Sequence, residues 1–108
     1  MKRGDIVVVA APGDYGKPRP AVIVQSDRLP ATDSVLVALV TSALVDAPLY
    51  RLLLEPSQSN GLNAASQVMV DKLIAMPRAK CRRIMGKVDD AGIIALNHML
   101  SVVIGLAD

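Results

Sequence analysis

Apolar runs separated by turns with proline or glycine indicate several short β-strands before residue 90. The runs predict strands at residues 6–10, 20–26, 34–41, 49–55, 67–76 and 84–88. Residues 34–41 are apolar at both odd and even positions, which is typical of a central strand that is covered on both faces. The charged pair Asp71 and Lys72 interrupts an apolar run, so we expect the fifth strand to bend there.

The last apolar segment has helical spacing and is preceded by two acidic residues. Asp89 or Asp90 is expected to cap a helix that runs to about Leu106. Its polar residues fall on one narrow stripe, and apolar residues cover nearly all of the remaining surface. One apolar side is expected to pack on the sheet and the other on a partner subunit. Residues 77–83 are compatible with a single helical turn that begins at a proline.

These elements predict one domain that spans residues 1–108. The fold class is mainly β with a C-terminal helix (α+β), as a small antiparallel barrel or a strongly twisted sheet with the helix packed on it. The core must be aliphatic, because 52% of the residues are hydrophobic but the chain has no Phe, no Trp and only two Tyr. So large an apolar share in a short chain suggests that a second copy covers part of the surface. We therefore expect a homodimer.

Charge and cysteine content exclude several classes of site. A net charge of +2 is compatible with nucleic-acid binding without requiring it. One cysteine cannot form an internal disulfide, and with a single histidine it makes a zinc site implausible, so no metal or cofactor is expected. Nothing after Met1 resembles a signal peptide. The longest apolar segment, residues 91–106, is shorter than the roughly 20 residues of a membrane span, and we expect a cytoplasmic protein without membrane contact.

Arg19 is marked by its local sequence, because it lies between Pro18 and Pro20 where the second predicted strand begins. The prolines restrict the backbone to extended conformations, so the guanidinium loses less freedom when it binds an anion. The pattern fits a phosphate-binding or catalytic arginine, and it also fits an exposed arginine in an ordinary loop. Thr41 and Ser42 end the third strand with hydroxyl groups, which either form a turn or hold phosphate oxygens.

Most catalytic arrangements are excluded by the residues available. The single histidine, His98, lies within the predicted helix, and no serine has the sequence context of a nucleophile elbow. Cys81 would have a lowered thiol pKa among its basic neighbours if it were exposed, but it has no base partner. Arginine, lysine, hydroxyl and carboxylate groups remain, and a phosphodiester is the substrate that suits them. In RNA, the 2′-hydroxyl of the substrate can itself be the nucleophile.

Six short motifs follow one another along the chain. They are Arg3-Gly4-Asp5, Lys17-Pro18-Arg19-Pro20 before an apolar strand, Val40-Thr41-Ser42, Pro48-Leu49-Tyr50-Arg51-Leu52, Val68-Met69-Val70-Asp71-Lys72 and Ile84-Met85-Gly86-Lys87-Val88-Asp89-Asp90. In this order they resemble the MazF/PemK family of type II toxin–antitoxin endoribonucleases over essentially the whole chain. The resemblance implies a homodimeric barrel that cleaves single-stranded RNA at short sequences without a metal ion, and thereby inhibits translation and growth. It also implies a cognate antitoxin whose extended tail covers the RNA groove.

The resemblance implies a role for each matching residue. Arg19 matches the family's catalytic arginine and Thr41 its catalytic hydroxyl. Because an arginine side chain stays protonated at neutral pH, we expect Arg19 to stabilise the charge of the phosphorane and Thr41 to hold a non-bridging oxygen. Asp14 and Asp71 are the candidates for the general base. The expected products carry a 2′,3′-cyclic phosphate, or a 3′-phosphate, and a 5′-hydroxyl. Further contacts with RNA are predicted for Asp14, Tyr15, Lys17, Ser42, Asp71, Lys72 and Arg78.

The chain departs from the family pattern at two places. Its loop before Arg19 is the short Gly13-Asp14-Tyr15-Gly16, which lacks the family's glutamate, and Lys72 stands where the family has Gln-x-Arg. Three alternatives stay open. A gyrase poison resembling CcdB would act through a C-terminal Trp-Gly-Ile, which is absent here. A non-catalytic nucleic-acid-binding barrel would have only Tyr15 and Tyr50 for base stacking. A toxin that has lost its activity would serve as an antitoxin-binding dimer.

Overall fold

In the computed structural model, which describes residues 1–10 and 17–108, a series of short strands precedes one helix. The strands are β1 (Asp5–Ala10), β2 (Pro18–Ile23), β3 (Ser34–Thr41), β4 (Arg51–Leu54), β5 (Ser66–Pro77) and β6 (Cys81–Lys87), and the helix is α1 (Asp90–Val103). A 3₁₀ turn at Arg78–Lys80 joins β5 to β6, where the sequence predicts a helical turn that begins at a proline.

All strand pairs are antiparallel and form one sheet in the order β4-β5-β3-β2-β1-β6. The prediction of a mainly β fold with a C-terminal helix is confirmed. β6 lies at one edge of this sheet, as predicted, and β3 lies between β2 and β5. Val37 of β3 packs in one apolar cluster and Val40 in another, so both faces of β3 are covered, as its sequence predicts.

The two apolar clusters lie on opposite faces of the sheet. The first joins the face that carries Val22 and Val40 to Leu96 of α1. The second contains Val7, Ala21 and other residues that alternate with those of the first cluster along the same strands. Both clusters are entirely aliphatic, and the buried apolar residues are Ile, Val, Leu, Ala and Met, as the composition requires.

β5 changes register where the charged pair interrupts its apolar sequence. Ala38 of β3 pairs with Leu73, and Val40 pairs with Val68, so β3 advances by two residues while β5 advances by five. The extra residues include Asp71 and form an irregularity in the ladder. The predicted bend is therefore present, and it turns Asp71 and Lys72 outward as exposed side chains.

Asp89 caps α1, since its side chain accepts a hydrogen bond of 2.7 Å from the Gly92 N–H. The helix packs on the sheet through the buried Leu96, while Ile94 on its outer side is 71% exposed. The helix ends at Val103, and Gly105 just beyond it has a φ of 80°, a left-handed conformation that favours glycine and is common where helices end. Ile94 lies on the polar stripe of the helix, three residues before the exposed Asn97. Ala95 and Met99, on the second apolar side, are half-buried against the first cluster, so the predicted partner subunit at that side stays a prediction.

Several strand boundaries differ from the sequence prediction, and three of these differences have identifiable reasons. β2 ends at Ile23 because the next two N–H groups, of Val24 and Gln25, both donate to the Leu36 carbonyl. β4 is shorter than predicted because the Tyr50 and Arg51 N–H groups both donate to the Ala47 carbonyl, which forms a tight turn. β6 starts earlier than predicted, at Cys81, which pairs with β1.

Candidate active site

Arg19 lies in β2, directly opposite Val9 of β1, and is half-buried. Pro18 and Pro20 are part of the same strand, so the extended backbone that the two prolines predict is present. Neither proline has an N–H group to donate to a neighbouring strand. The ladder between β2 and β3 is accordingly limited to Ala21–Ile23, and Arg19 lies where the two strands are no longer paired.

Arg19 and Thr41 lie at the same level on neighbouring strands. The last pair between β2 and β3 is Ala21 with Leu39, and each site residue lies two positions beyond that pair, toward the same end of the sheet. Side chains two positions apart along a strand share a face, and directly opposite residues share it too. Extending the register by these two positions gives Arg19 and Thr41 the same face of the sheet, although only Arg19 lines the cavities at this end.

The Thr41 hydroxyl accepts a hydrogen bond from the backbone of the residues that follow it. Its Oγ1 accepts a hydrogen bond of 3.1 Å from the Ala43 N–H, which forms a local turn after β3. A hydroxyl group can accept and donate at once, so this contact orients Oγ1 and leaves its proton for a substrate oxygen.

Two adjoining cavities meet at Arg19. One of about 240 Å³ is lined by Lys17, Arg19 and Ser42, which are all predicted site residues, together with Pro18, Pro20, Val40 and Ser66. The other, of about 380 Å³, extends from Arg19 and Ser42 to Arg83 of β6. Three cationic side chains thus border this end of the sheet, and such a surface attracts a phosphate backbone. A further cavity of about 460 Å³ between β4 and the start of α1 contains none of the predicted site residues.

Asp71 makes an ion pair that the sequence reasoning did not anticipate. The Arg51 Nε lies 3.7 Å from the Asp71 Oδ1, with side chains that are 11% and 34% exposed. The Arg51 Nε is buried and has no hydrogen-bond partner among the residues that the structure describes. Arg51 stands opposite Met69, two residues before Asp71, so the pair spans the irregular part of β5. The predicted role of Asp71 and Lys72 in binding RNA stays a prediction.

Arg78 lies beside the opposite end of β3, because its N–H donates to the Asp33 carbonyl. Its guanidinium donates to the Leu29 carbonyl at 3.1 Å and to the Thr32 carbonyl and hydroxyl, which anchors the loop between β2 and β3. The structure therefore gives Arg78 a local structural role and does not place it beside Thr41. Its predicted contact with RNA is untested. Asp14 and Tyr15, also predicted to contact RNA, lie outside the described residues.

Cys81 is half-buried at the start of β6. Burial raises the pKa of its thiol above the ordinary value of 9.0, and the cation of Arg78 offsets only part of this effect. The sequence suggested a lowered pKa on the condition that the thiol is exposed, and the condition is not met. Within residues 1–10 and 17–108, no three His, Cys, Asp or Glu side chains are close enough to share a metal ion.

Sequence reasoning missed three residues of this region: Arg51, Gln67 and Arg83. A signal was available for Arg51, because a cation in a short apolar strand needs a partner, and Asp71 interrupts the next strand. Gln67 lies directly opposite Thr41, and its buried amide bonds the backbone of Val45. Nothing in its sequence context distinguishes it from an ordinary polar strand residue.

Comparisons with known proteins agree with this architecture. Residues 2–104 match the model of a family described as PemK-like, MazF-like toxin of type II toxin–antitoxin system. The chain is 41% identical over 108 residues to a protein of Mycolicibacterium smegmatis named probable endoribonuclease MazF, and the match covers 99% of both chains.

Solved structures share the fold at lower identity. The Mycobacterium tuberculosis toxin MazF-mt6 superposes with a TM-score of 0.80 at 22% identity, covering 94% of this chain and 96% of the other. A mycobacterial endoribonuclease in complex with its cognate antitoxin superposes with a TM-score of 0.81 at 20% identity, covering 98% of this chain and 96% of the other. A MazE–MazF crystal structure from Deinococcus radiodurans superposes with a TM-score of 0.79 at 18% identity, covering 97% of this chain and 95% of the other. No helix of the part of the chain that the structure describes is long and apolar enough to span a membrane.

Proposed function

Because the chain belongs to the PemK-like, MazF-like toxin family of type II toxin–antitoxin systems, we propose that it is an endoribonuclease of single-stranded RNA. The observation that carries the proposal is that Arg19 and Thr41 each lie two positions beyond the last β2–β3 pair, toward the same end of the sheet, and that Arg19 lines two cavities that are also lined by Lys17 and Arg83. The name of the Mycolicibacterium smegmatis relative, 41% identical to this chain, supports the same activity.

The proposed reaction is an attack by the 2′-oxygen of the substrate on its own phosphorus. The new P–O2′ bond forms as the P–O5′ bond breaks, the 2′-oxygen loses its proton, and the departing 5′-oxygen gains one. The products are a 2′,3′-cyclic phosphate, or the 3′-phosphate formed when water opens it, and a 5′-hydroxyl. Every bond made or broken belongs to the RNA, so the task of the protein is to position the phosphate and stabilise its charge.

The residues of the site divide this task. The Arg19 guanidinium balances the additional negative charge of the phosphorane, because it carries a delocalised positive charge and presents several donors. Thr41 donates its hydroxyl proton to a non-bridging oxygen, while the Ala43 N–H holds Oγ1 in place. Lys17 and Ser42 border the same cavity and bind the neighbouring backbone.

The proposal includes two protein partners. A cognate antitoxin inhibits the toxin by covering the RNA-binding face with an extended tail. Complexes of related toxins with antitoxins support the existence of such a partner. A second copy of the chain covers part of the outer surface of α1, where Ile94 is 71% exposed among polar neighbours. The site of action is the cytoplasm, where cleavage of messenger RNA stops translation and growth.

Cleavage of a long mixed-sequence RNA by the purified protein in excess EDTA tests the proposal. The proteins to compare are wild type, Arg19→Gln and, as a matched control, Arg82→Gln, which removes an exposed cation that lines neither site cavity. Discrete cuts with 5′-hydroxyl ends, lost in Arg19→Gln and kept in Arg82→Gln, are expected. Cuts of equal strength in all three proteins, or no cuts by the wild type, would overturn the assignment and favour the binding or gyrase alternatives.

A further inference from the structure

The connection between β3 and β4 is fixed to the sheet by one buried glutamine. Gln67 of β5 is 8% exposed, and its side-chain amide makes two hydrogen bonds to the backbone of Val45. The Val45 N–H donates to the Gln67 Oε1 at 3.1 Å, and the Gln67 Nε2 donates to the Val45 carbonyl at 2.8 Å. One side-chain amide thereby satisfies both the N–H and the carbonyl group of Val45, a residue that is not part of any strand.

The position of Gln67 connects this contact to the site. Gln67 is paired with Thr41 on one side and with Leu53 of β4 on the other. Directly opposite residues share a face, so the amide lies on the face that carries the Thr41 side chain. Because it reaches Val45, the segment after Thr41 must fold back over β5 instead of extending into solvent.

The same segment contains the contact that orients the Thr41 hydroxyl. The Ala43 N–H, which donates to the Thr41 Oγ1, lies between Thr41 and the anchored Val45. Fixing both ends of so short a segment restricts the position of the Ala43 N–H and hence the direction of Oγ1. Leu44 and Val45 of the anchored segment have side chains that are 51% and 48% exposed, so the segment is held by its backbone contacts and not by burial of these side chains.

We propose that Gln67 is a positioning residue, which keeps the hydroxyl of Thr41 aimed at the scissile phosphate by anchoring the backbone of Val45. The inference rests on the proposed endoribonuclease function. Gln67 itself does not touch the substrate, since both ends of its amide are occupied and the side chain is buried. Its contribution to the rate passes through Thr41, and it disappears when the Thr41 hydroxyl is absent.

The chain supplies a matched control in Gln25, whose amide anchors another loop. The Gln25 Nε2 donates to the Leu29 carbonyl and the Thr32 hydroxyl, and its Oε1 accepts from the Leu36 N–H. This contact holds the loop between β2 and β3, at the opposite end of β3 from Thr41. Gln25→Met therefore removes a comparable bridge of side chain to backbone without disturbing the Thr41 segment.

The test measures kcat and KM for Gln67→Met, Gln25→Met, Thr41→Val and the double variant Gln67→Met/Thr41→Val on one cleavable RNA. Gln67→Met is expected to lower kcat by about tenfold or more, consistent with the cost of a misplaced catalytic group, and to change KM by less than about threefold. Gln25→Met should keep the wild-type kcat. In the Thr41→Val background the loss of Gln67 should have no further effect. An equal loss in both backgrounds, or an equal loss in Gln25→Met, would overturn the proposal.

Amide hydrogen exchange separates a failure of this inference from a failure of the proposed function. The Ala43 and Val45 amides are expected to exchange faster in Gln67→Met than in wild type or Gln25→Met, whether or not the protein cleaves RNA. Unchanged exchange at both amides would refute the anchoring role. If the wild-type protein cuts no RNA but the two amides still exchange faster in Gln67→Met than in wild type, the anchoring role stands and the proposed nuclease activity is refuted.

Discussion

Arg51 of β4 and Asp71 of β5 form an ion pair across the irregular part of the sheet, with 3.7 Å between Nε and Oδ1. The arginine is the more buried partner, and its Nε has no hydrogen bond to any described residue. Burying a guanidinium with an incomplete set of hydrogen-bond partners costs solvation free energy, and the nearby carboxylate offsets part of that cost. The pair thus explains how two charged residues persist within an apolar part of the sequence, and it ties the edge strand to the bend of β5.

A double-mutant cycle measures this coupling. Arg51→Met and Asp71→Asn should each lower the free energy of unfolding in urea, and the double variant should lose less than the sum of the two. Because Asp71 is partly exposed and screened by solvent, the coupling free energy should be about 0.5–1 kcal/mol. Additive losses would show that the two side chains do not interact in solution.

Two substitutions of Thr41 distinguish the contribution of its hydroxyl group to catalysis from the contribution of its side-chain volume. Thr41→Ser keeps the donor and should retain cleavage within about tenfold of wild type, whereas Thr41→Val should lower kcat by about 10²-fold. Both variants should retain the wild-type melting temperature within a few degrees, since Thr41 is half-buried at a strand end. Initial rates on one defined RNA decide the matter, and a Thr41→Val enzyme as fast as Thr41→Ser would remove the hydroxyl from the mechanism.

Much of the fold could be predicted because burial on two faces leaves a clear signal in the sequence. β3 was bounded correctly at Ser34–Thr41 because its residues are apolar at every position between polar ends. β4 was predicted too long, since the apolar Leu49 and Tyr50 belong to a turn fixed by the Ala47 carbonyl, a backbone contact that hydropathy does not report. Tertiary pairing with β1 likewise extended β6 to Cys81 through a basic, polar segment.

The site was predictable where a residue is marked by its own neighbours. Arg19 was predicted as a site residue because prolines on both sides restrict its backbone, and Thr41 because it ends a buried strand, and both roles stay predictions. Gln67 and Arg51 act through residues far along the chain, at Val45 and Asp71, so their roles depend on strand register. Arg78 shows the converse, because a cation in a basic segment of the sequence is engaged by loop carbonyls in the fold.

The outer side of α1 gives a prediction about assembly. Ile94→Glu places a charge at the exposed apolar residue on the outer surface of the helix, whereas Gln58→Glu places the same charge at an exposed polar position away from the helix. Sedimentation should show wild type and Gln58→Glu at twice the 11.4 kDa mass of the chain, and Ile94→Glu shifted toward the monomer. A dimer equally stable in all three proteins would place the interface elsewhere.

The half-buried thiol of Cys81 predicts a dependence of stability on pH. Its raised pKa means that the folded protein binds the thiol proton more tightly than the unfolded chain does. Stability from this group is therefore complete below the unfolded pKa and is lost as the pH rises toward the folded pKa. The unfolding free energy of wild type relative to Cys81→Ser should fall between about pH 8 and pH 10. A difference that stays constant or grows over this range would contradict the assignment.

The most direct test of the central claim replaces the proposed nucleophile in the substrate. Once the cleavage site is mapped, two short RNAs are compared that differ only by a single 2′-deoxy nucleotide on the 5′ side of the scissile phosphate. The account predicts cleavage of the all-RNA substrate to a 2′,3′-cyclic phosphate or 3′-phosphate and a 5′-hydroxyl in excess EDTA, and no cleavage of the deoxy substrate at that site. Cleavage of the deoxy substrate at the same site and a comparable rate would show that another nucleophile attacks the phosphorus, and would contradict the mechanism.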